Sequence, residues 1–184
     1  WHDYGVGETI AQYEFFRDQA VSERSRKNQH LILGPGAHCQ DADVAESSHF
    51  VAGDRDMGDT RFPLVDIYDR WFRHWLAGDG SDSLGLAPVS YFLMGKNEWR
   101  TASDMPIPGT VFDRLFLGAG PRGANTLSGD GHLVRGAGRS RPFSEYVYDP
   151  ANPAPMISGP ACCDLRGRPA GSFDQREVEE REIG

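Results

Sequence analysis

His30-Leu-Ile-Leu-Gly-Pro-Gly-Ala-His38-Cys39 is the stretch whose reading decides the fold. Leu31 to Leu33 form a short apolar run, which reads as a buried strand. Gly34, Pro35 and Gly36 end it abruptly, and His38 follows in the turn. Open α/β sheets carry their chemistry just past the carboxyl ends of such strands. A lone histidine there would be weak evidence. Upstream, however, Trp1-His2-Asp3-Tyr4-Gly5 places an acid 35 residues before the histidine. That interval accommodates one helix and one strand.

Outward from this unit, Gly5 and Gly7 predict a loop. Ile10, Tyr13, Phe16 and Ala20 recur near the helical period, so residues 8–20 are expected to be an amphipathic helix. Ser22 to Gln29 reads as a charged turn. Residues 40–63 are polar and rich in Asp and Gly, and read as a solvated loop that edges the histidine. Asp54, Asp56 and Asp59 lack the glutamate and ligand spacing of a calcium-binding loop, and no metal site is expected. A strong helical signal runs from Phe62 to Leu76, with Leu64, Tyr68, Trp71, Phe72 and Trp75 expected on one face. Asp66, Asp69, Arg70 and Arg73 lie opposite, and Gly78 and Gly80 end the helix. His74 reads as a packed or surface histidine.

Residues 79–88 are rich in Gly, Ser and Asp and read as a linker between residues 1–78 and residues 89–184. Beyond it, Val89–Met94, Phe112–Leu117, His132–Val134 and Ser144–Val147 are short β-like runs separated by Gly, Pro and Asn clusters. Such punctuation predicts a β-sandwich or jelly roll. Trp99 precedes a polar, proline-containing loop to Gly109. Residues 149–173 read as a long connection, and Asp174 to Ile183 as a charged lead into a further strand. The β-domain then stands unfinished at Gly184, so the chain reads as truncated at both ends.

Composition bounds the function. The chain is 39% hydrophobic and 25% charged, as a globular protein is. No apolar run approaches the roughly 18 residues of a membrane span. A net charge of −8 without a basic stripe argues against nucleic acid as a partner. Cys39, Cys162 and Cys163 are too few for a disulfide framework and read as buried free thiols. A cysteine nucleophile at Cys39 is disfavoured, because neighbouring side chains on an extended segment point opposite ways.

The acid-then-histidine order fits the α/β-hydrolases, in which a nucleophilic serine comes first, then Asp or Glu, then His. No Gly-x-Ser-x-Gly occurs in the 184 residues. Trp1-x-Asp3 resembles the Gly-Trp-x-Asp motif of the CocE/NonD-type serine hydrolases. Gly34-Pro35-x-x-His38 resembles their Gly-Pro-Trp-x-His motif. Asp69-x-Trp71-Phe72-x-His74-Trp75-Leu76, Val89-x-Tyr91-Phe92-x-Met94-Gly95, Tyr148-Asp149-Pro150-x-Asn152-Pro153 and Asp174-Gln175-Arg176 extend the likeness in order along almost the whole chain. The group takes in cocaine esterase, the α-amino-acid ester hydrolases, the glutaryl-cephalosporin acylases and the Xaa-Pro dipeptidyl-peptidase relatives. Gly36 departs from the pattern, since many members carry Trp there.

The resemblance implies the C-terminal end of an α/β-hydrolase domain (1–78), the linker, and a partial galactose-binding-like jelly roll (89–184). It implies Asp3 and His38 as acid and base of a Ser-His-Asp triad whose serine and oxyanion donors lie outside this chain. The expected partner is a small ester, amide or short peptide, with no cofactor. The sequence is compatible with a homo-oligomer and leaves the compartment open. Two competing readings are a non-catalytic carbohydrate- or protein-binding β-sandwich and a metal hydrolase using His2, Asp3 and His38. An exposed aromatic platform in residues 89–184 would favour the first of these. Aromatics buried against residues 1–78 would favour the serine hydrolase.

Overall fold

A computed structural model describes residues 1–78, 84–119, 129, 131–136, 148–153, 155, 157 and 170–179. The chain divides into two compact units, Trp1–Thr110 with Ser158–Phe173, and Val111–Ile157 with Asp174–Gly184. It is a mixed helix-and-sheet protein with small sheets.

The first unit is organised on strand β1 (Leu31–Leu33). β1 pairs in parallel with β4 (Val89–Leu93), Leu31 opposite Val89 and Leu33 opposite Tyr91. β4 returns antiparallel into β5 (Glu98–Ala102) through a turn with Gly95 and Asn97 at positive φ. Alternation along the strands sorts the apolar side chains onto two faces. Leu31, Leu33, Val89 and Tyr91 pack against Tyr13 of helix α1 (Val6–Gln19), with Trp1, Val6 and Ile10 around them. On the other face Phe92, fully buried, meets Ala52 and Met57, with Trp99 beside them. Ala52 and Met57 belong to the antiparallel hairpin β2 (Phe50–Ala52) and β3 (Arg55–Gly58). Phe92→Ala should therefore lower the unfolding free energy by about 3–5 kcal/mol. A shift of the urea midpoint equivalent to less than about 1 kcal/mol would show that the hairpin does not seal this face.

Several expectations shift. α1 begins two residues earlier than predicted and buries Tyr13 alone, with Val6 and Ile10 partly covered. Phe16 is half exposed and sets its ring edge-on to Phe15 at 5.5 Å. The charged turn is a short helix, α2 (Glu23–Lys27), whose N-cap Ser22 accepts a hydrogen bond from the Ser25 amide at 3.0 Å. Five residues carry too little periodicity to announce a helix. Within the expected loop 40–63 lie helix α3 (Asp41–Glu46) and the β2–β3 hairpin. Only Val44, Ala52, Met57 and Thr60 are buried there, so a polar sequence hides an ordered layer. The Thr60 hydroxyl donates to Val44 O at 2.7 Å, while Thr60 O accepts the Trp99 indole N–H at 3.0 Å. Phe62 stacks on Trp99 at 4.1 Å.

Helix α4 (Leu64–Phe72) continues as a π-helical turn, Arg73–Ala77, and stops at Gly78 with φ 64°. Its covered side agrees with the predicted one at Leu64, Trp71 and Trp75 but not at Tyr68 and Phe72. Ile67 is buried and Leu64, Trp71 and Trp75 are half-buried, whereas Tyr68 and Phe72 are 50% and 57% exposed. The aromatic count drew the predicted stripe toward Tyr68 and Phe72, while the inward side is set by Ile67. Of the expected linker, residues 79–83 lie outside the described residues. Leu84 is buried and its carbonyl accepts from Arg70 Nη1 at 3.0 Å. Pro88 O accepts the Leu31 amide at 2.9 Å, which delivers β4 into the sheet beside β1. The first compact unit runs on through residues 79–88 to Thr110.

In the second unit β6 (Phe116–Ala119) pairs antiparallel with β7 (Gly131–Val134), Phe116 opposite Val134. β6 starts four residues later than the predicted run from Phe112. Helix α5 (Arg176–Glu179) stands where a lead into a strand was expected, started by Asp174 accepting the Arg176 amide at 3.0 Å. Ser144–Val147 and residues 158–169, with Cys162 and Cys163, lie outside the described residues. Cys39 is exposed, not buried, and holds φ 62° in the turn after His38.

Candidate functional site

The acid loop lies along the histidine loop. The Trp1 nitrogen donates to Gly34 O at 2.6 Å, and the His2 amide to Gly36 O at 3.1 Å. Trp1 is anchored further by its indole N–H, which donates to Phe92 O at 2.7 Å. Asp3 then turns back into α1, with its carbonyl accepting the Val6 amide at 3.3 Å. The histidine loop is closed by Gln40, whose Oε1 accepts the Ala37 amide at 2.9 Å and whose own amide donates to Ala37 O at 3.3 Å.

These two loops bring together the two residues singled out from sequence. His38 Nδ1 lies 2.8 Å from Asp3 Oδ2. Because a carboxylate only accepts, Nδ1 carries the proton and Nε2 is left with its lone pair. The other carboxylate oxygen, Oδ1, accepts the Gly5 amide at 2.7 Å. The Gly5 bond first, and His38 second, hold the Asp3 carboxyl below its ordinary pKa. Burial acts in the other direction, more strongly than the His38 hydrogen bond taken singly but less than the Gly5 bond. Asp3 is thus an anion fixed at both oxygens, and about a third of each side chain stays open to solvent.

Tyr4, passed over in the sequence, sets its ring 5.2 Å from the His38 ring. Its place next to Asp3 was the available signal. Gly36, the departure from the Gly-Pro-Trp-x-His pattern, is explained by packing. A Cβ there would fall 2.6 Å from Val44 Cγ2, so α3 occupies the space that a larger residue would need. A cavity of about 280 Å³ opens beside the acid, lined by Asp3, Val6, Val44, Phe62 and Trp99 among others. Another of similar size lies between α2 and the π-helical turn, against Trp71 and Trp75, away from the Asp3–His38 pair.

His2 does not join Asp3 and His38 on a common point. Its Nδ1 is 2.8 Å from Pro35 O and its Nε2 is 2.9 Å from Ser172 Oγ. Both ring nitrogens are committed, which removes the metal-hydrolase arrangement of His2, Asp3 and His38. Among the described residues no group of three or more His, Cys, Asp or Glu is disposed to hold a metal ion. Asp56 and Asp59 serve the hairpin and Arg61 locally, through the Gly58 amide and an ion pair. Among the described residues no helix is long and apolar enough to cross a membrane.

No protein-family model matches the chain. Over 186 aligned residues it is 28% identical to cocaine esterase from Rhodococcus sp. (strain MB1 Bresler). The alignment takes in 99% of this chain and 29% of that protein, so the chain spans less than a third of its relative's length. The likeness is distant, and it is to a protein named as an esterase.

Proposed function

We propose that this chain supplies the acid and the base of a serine hydrolase of the CocE/NonD type. The observation that carries the reading is the 2.8 Å bond between His38 Nδ1 and Asp3 Oδ2. His38 Nε2 accepts the proton of a serine hydroxyl as that oxygen attacks a carbonyl carbon, and returns it to the leaving alcohol or amine. Water repeats the cycle on the acyl-enzyme. Asp3 holds the Nδ1–H tautomer and stabilises the imidazolium that forms. The serine and the oxyanion donors come from sequence of the longer protein that precedes Trp1. The substrate is a small ester, an amide or a short peptide, and no cofactor takes part.

In this reading residues 1–78 belong to the end of an α/β-hydrolase domain and the later residues to a jelly-roll domain. Phe92 and Trp99 support it against a binding module, because Phe92 packs on Met57 and Trp99 stacks on Phe62, both within residues 1–78. The binding-module alternative draws on Phe112 and Tyr148, which are exposed.

The test uses a fluorophosphonate probe and an activated ester. The longer protein should label at one serine upstream of Trp1 and turn the ester over. The 184-residue chain alone should do neither, since a base without a nucleophile at about 2.6–3.2 Å and without fixed oxyanion donors has nothing to activate. Stoichiometric labelling of the chain by itself, lost on a Ser→Ala change within it, would overturn the assignment.

A further inference from the structure

A second histidine, His2, stands one residue before the proposed acid and is held from three directions. Its amide donates to Gly36 O at 3.1 Å. Its Nδ1 faces Pro35 O at 2.8 Å, and a carbonyl oxygen can only accept, so Nδ1 carries the proton. Nε2 therefore presents a lone pair, and the Ser172 hydroxyl at 2.9 Å donates to it. Burial keeps His2 below the usual imidazole pKa, which favours this neutral form.

Ser172 reaches His2 from 170 residues away, and the chain is shaped to bring it there. The Ser172 amide donates to Ala52 O at 3.2 Å, and Ser172 O accepts the Asp54 amide at 2.7 Å. The two backbones touch without side chains between them. A Cβ on Gly171 would fall 2.3 Å from Gly53 N, and one on Gly53 would fall 2.3 Å from Ser172 O. Gly53 also holds φ 68°, a conformation that glycine adopts without strain. Two glycines thus staple residues 171–172 to the β2–β3 turn and aim the Ser172 hydroxyl at the acid loop.

We propose that Ser172 and His2 are positioning residues, which lock the acid loop onto the histidine loop and so hold Asp3 in register with His38. This rests on the reading of Asp3 and His38 as acid and base. The bond from Ser172 fixes the His2 tautomer. That tautomer ties residue 2 to Pro35, and Asp3 and His38 each lie within three residues of that tie. Loss of the Ser172 hydroxyl frees the His2 proton to move from Nδ1 to Nε2, whereupon Nδ1 meets Pro35 O lone pair to lone pair and the loops part. Misplacement on this scale costs rate without touching substrate binding.

The experiment measures ester turnover by the longer enzyme carrying Ser172→Ala, Ser172→Thr, His2→Asn or His38→Ala. It also records ¹⁵N spectra of the histidine rings. Ser172→Ala should lower kcat about tenfold with KM within about twofold, and Ser172→Thr, which keeps the hydroxyl, should restore kcat to within about twofold. His2→Asn keeps an N–H for Pro35 O and drops the Ser172 bond, and should behave like Ser172→Ala. The His2 ring should show a protonated Nδ1 in the wild type and a mixture in Ser172→Ala. Wild-type kcat in Ser172→Ala, no rescue by threonine, or His2 protonated at Nε2 in the wild type would each overturn the proposal while His38→Ala remains inactive. Full activity in His38→Ala would overturn the triad reading instead.

Discussion

Under the proposed triad, His38→Ala is expected to lower kcat for an activated ester by about 10³-fold or more in the longer enzyme, the scale on which triad members act. The expectation follows from what remains after the change. In the proposed triad the imidazole Nε2 takes the proton of the nucleophile, and alanine provides neither proton acceptor nor donor. Nearby side chains cannot stand in. His2 has both ring nitrogens engaged, with Pro35 O and Ser172 Oγ. The Tyr4 ring lies 5.2 Å from that of His38 and offers a hydroxyl rather than a basic ring nitrogen. Residual rate would come from substrate binding and the oxyanion donors alone. The fold should survive, since the His38 side chain is 37% exposed and sits in a turn rather than in the sheet. Circular dichroism and an unchanged KM would separate lost chemistry from lost structure. Activity within tenfold of wild type would remove His38 from the mechanism.

The site was more legible than the scaffold because its signals are local and chemical. Gly34, Pro35 and Gly36 stop a strand by backbone geometry alone, so the turn bearing His38 could be read directly. The helical period over residues 8–20 found α1 within two residues at its start. What sequence missed was set by partners far along the chain. β5 reads as a polar stretch because Glu98, Arg100 and Thr101 are exposed and surround Trp99, and only its pairing with β4 makes it a strand. The inward side of α4 turns on Ile67, which periodicity cannot rank above Tyr68 and Phe72. The parallel pairing of β1 with β4 spans residues 34–88 and joins segments that composition had separated at the Gly- and Ser-rich 79–88. Ser172 lay in a stretch read as a connection, and nothing in its neighbours announces a partner 170 residues away.

Asp3→Asn should cost as much as or more than the loss of the histidine, about 10³–10⁴-fold in kcat, although it changes one atom. The Gly5 amide decides the outcome. It donates to Asp3 Oδ1 at 2.7 Å, and the asparagine must keep its oxygen there to avoid facing N–H with N–H. Its NH₂ group then points at His38 Nδ1 and donates to it. That fixes the imidazole as the Nε2–H tautomer, with its lone pair on the side away from the nucleophile. The base is present and correctly placed, yet it cannot take the proton. Asp3→Ala leaves the tautomer free and should lose less than Asp3→Asn. Equal losses in the two variants, or an Asp3→Asn enzyme within tenfold of wild type, would show that tautomer control is not what Asp3 does. The pH dependence gives an independent check. With its pKa held below the ordinary carboxylate value, Asp3 is ionised throughout the range above about pH 5. A fall in rate on acidification within that range is not protonation of Asp3. Its contribution to folding is present above the unfolded carboxyl value, about 3.9, and is lost as the pH drops through the lower folded one. A stability loss already complete near pH 5 in the wild type, and absent in Asp3→Asn, would show that the carboxylate is not held by Gly5 and His38 in this way.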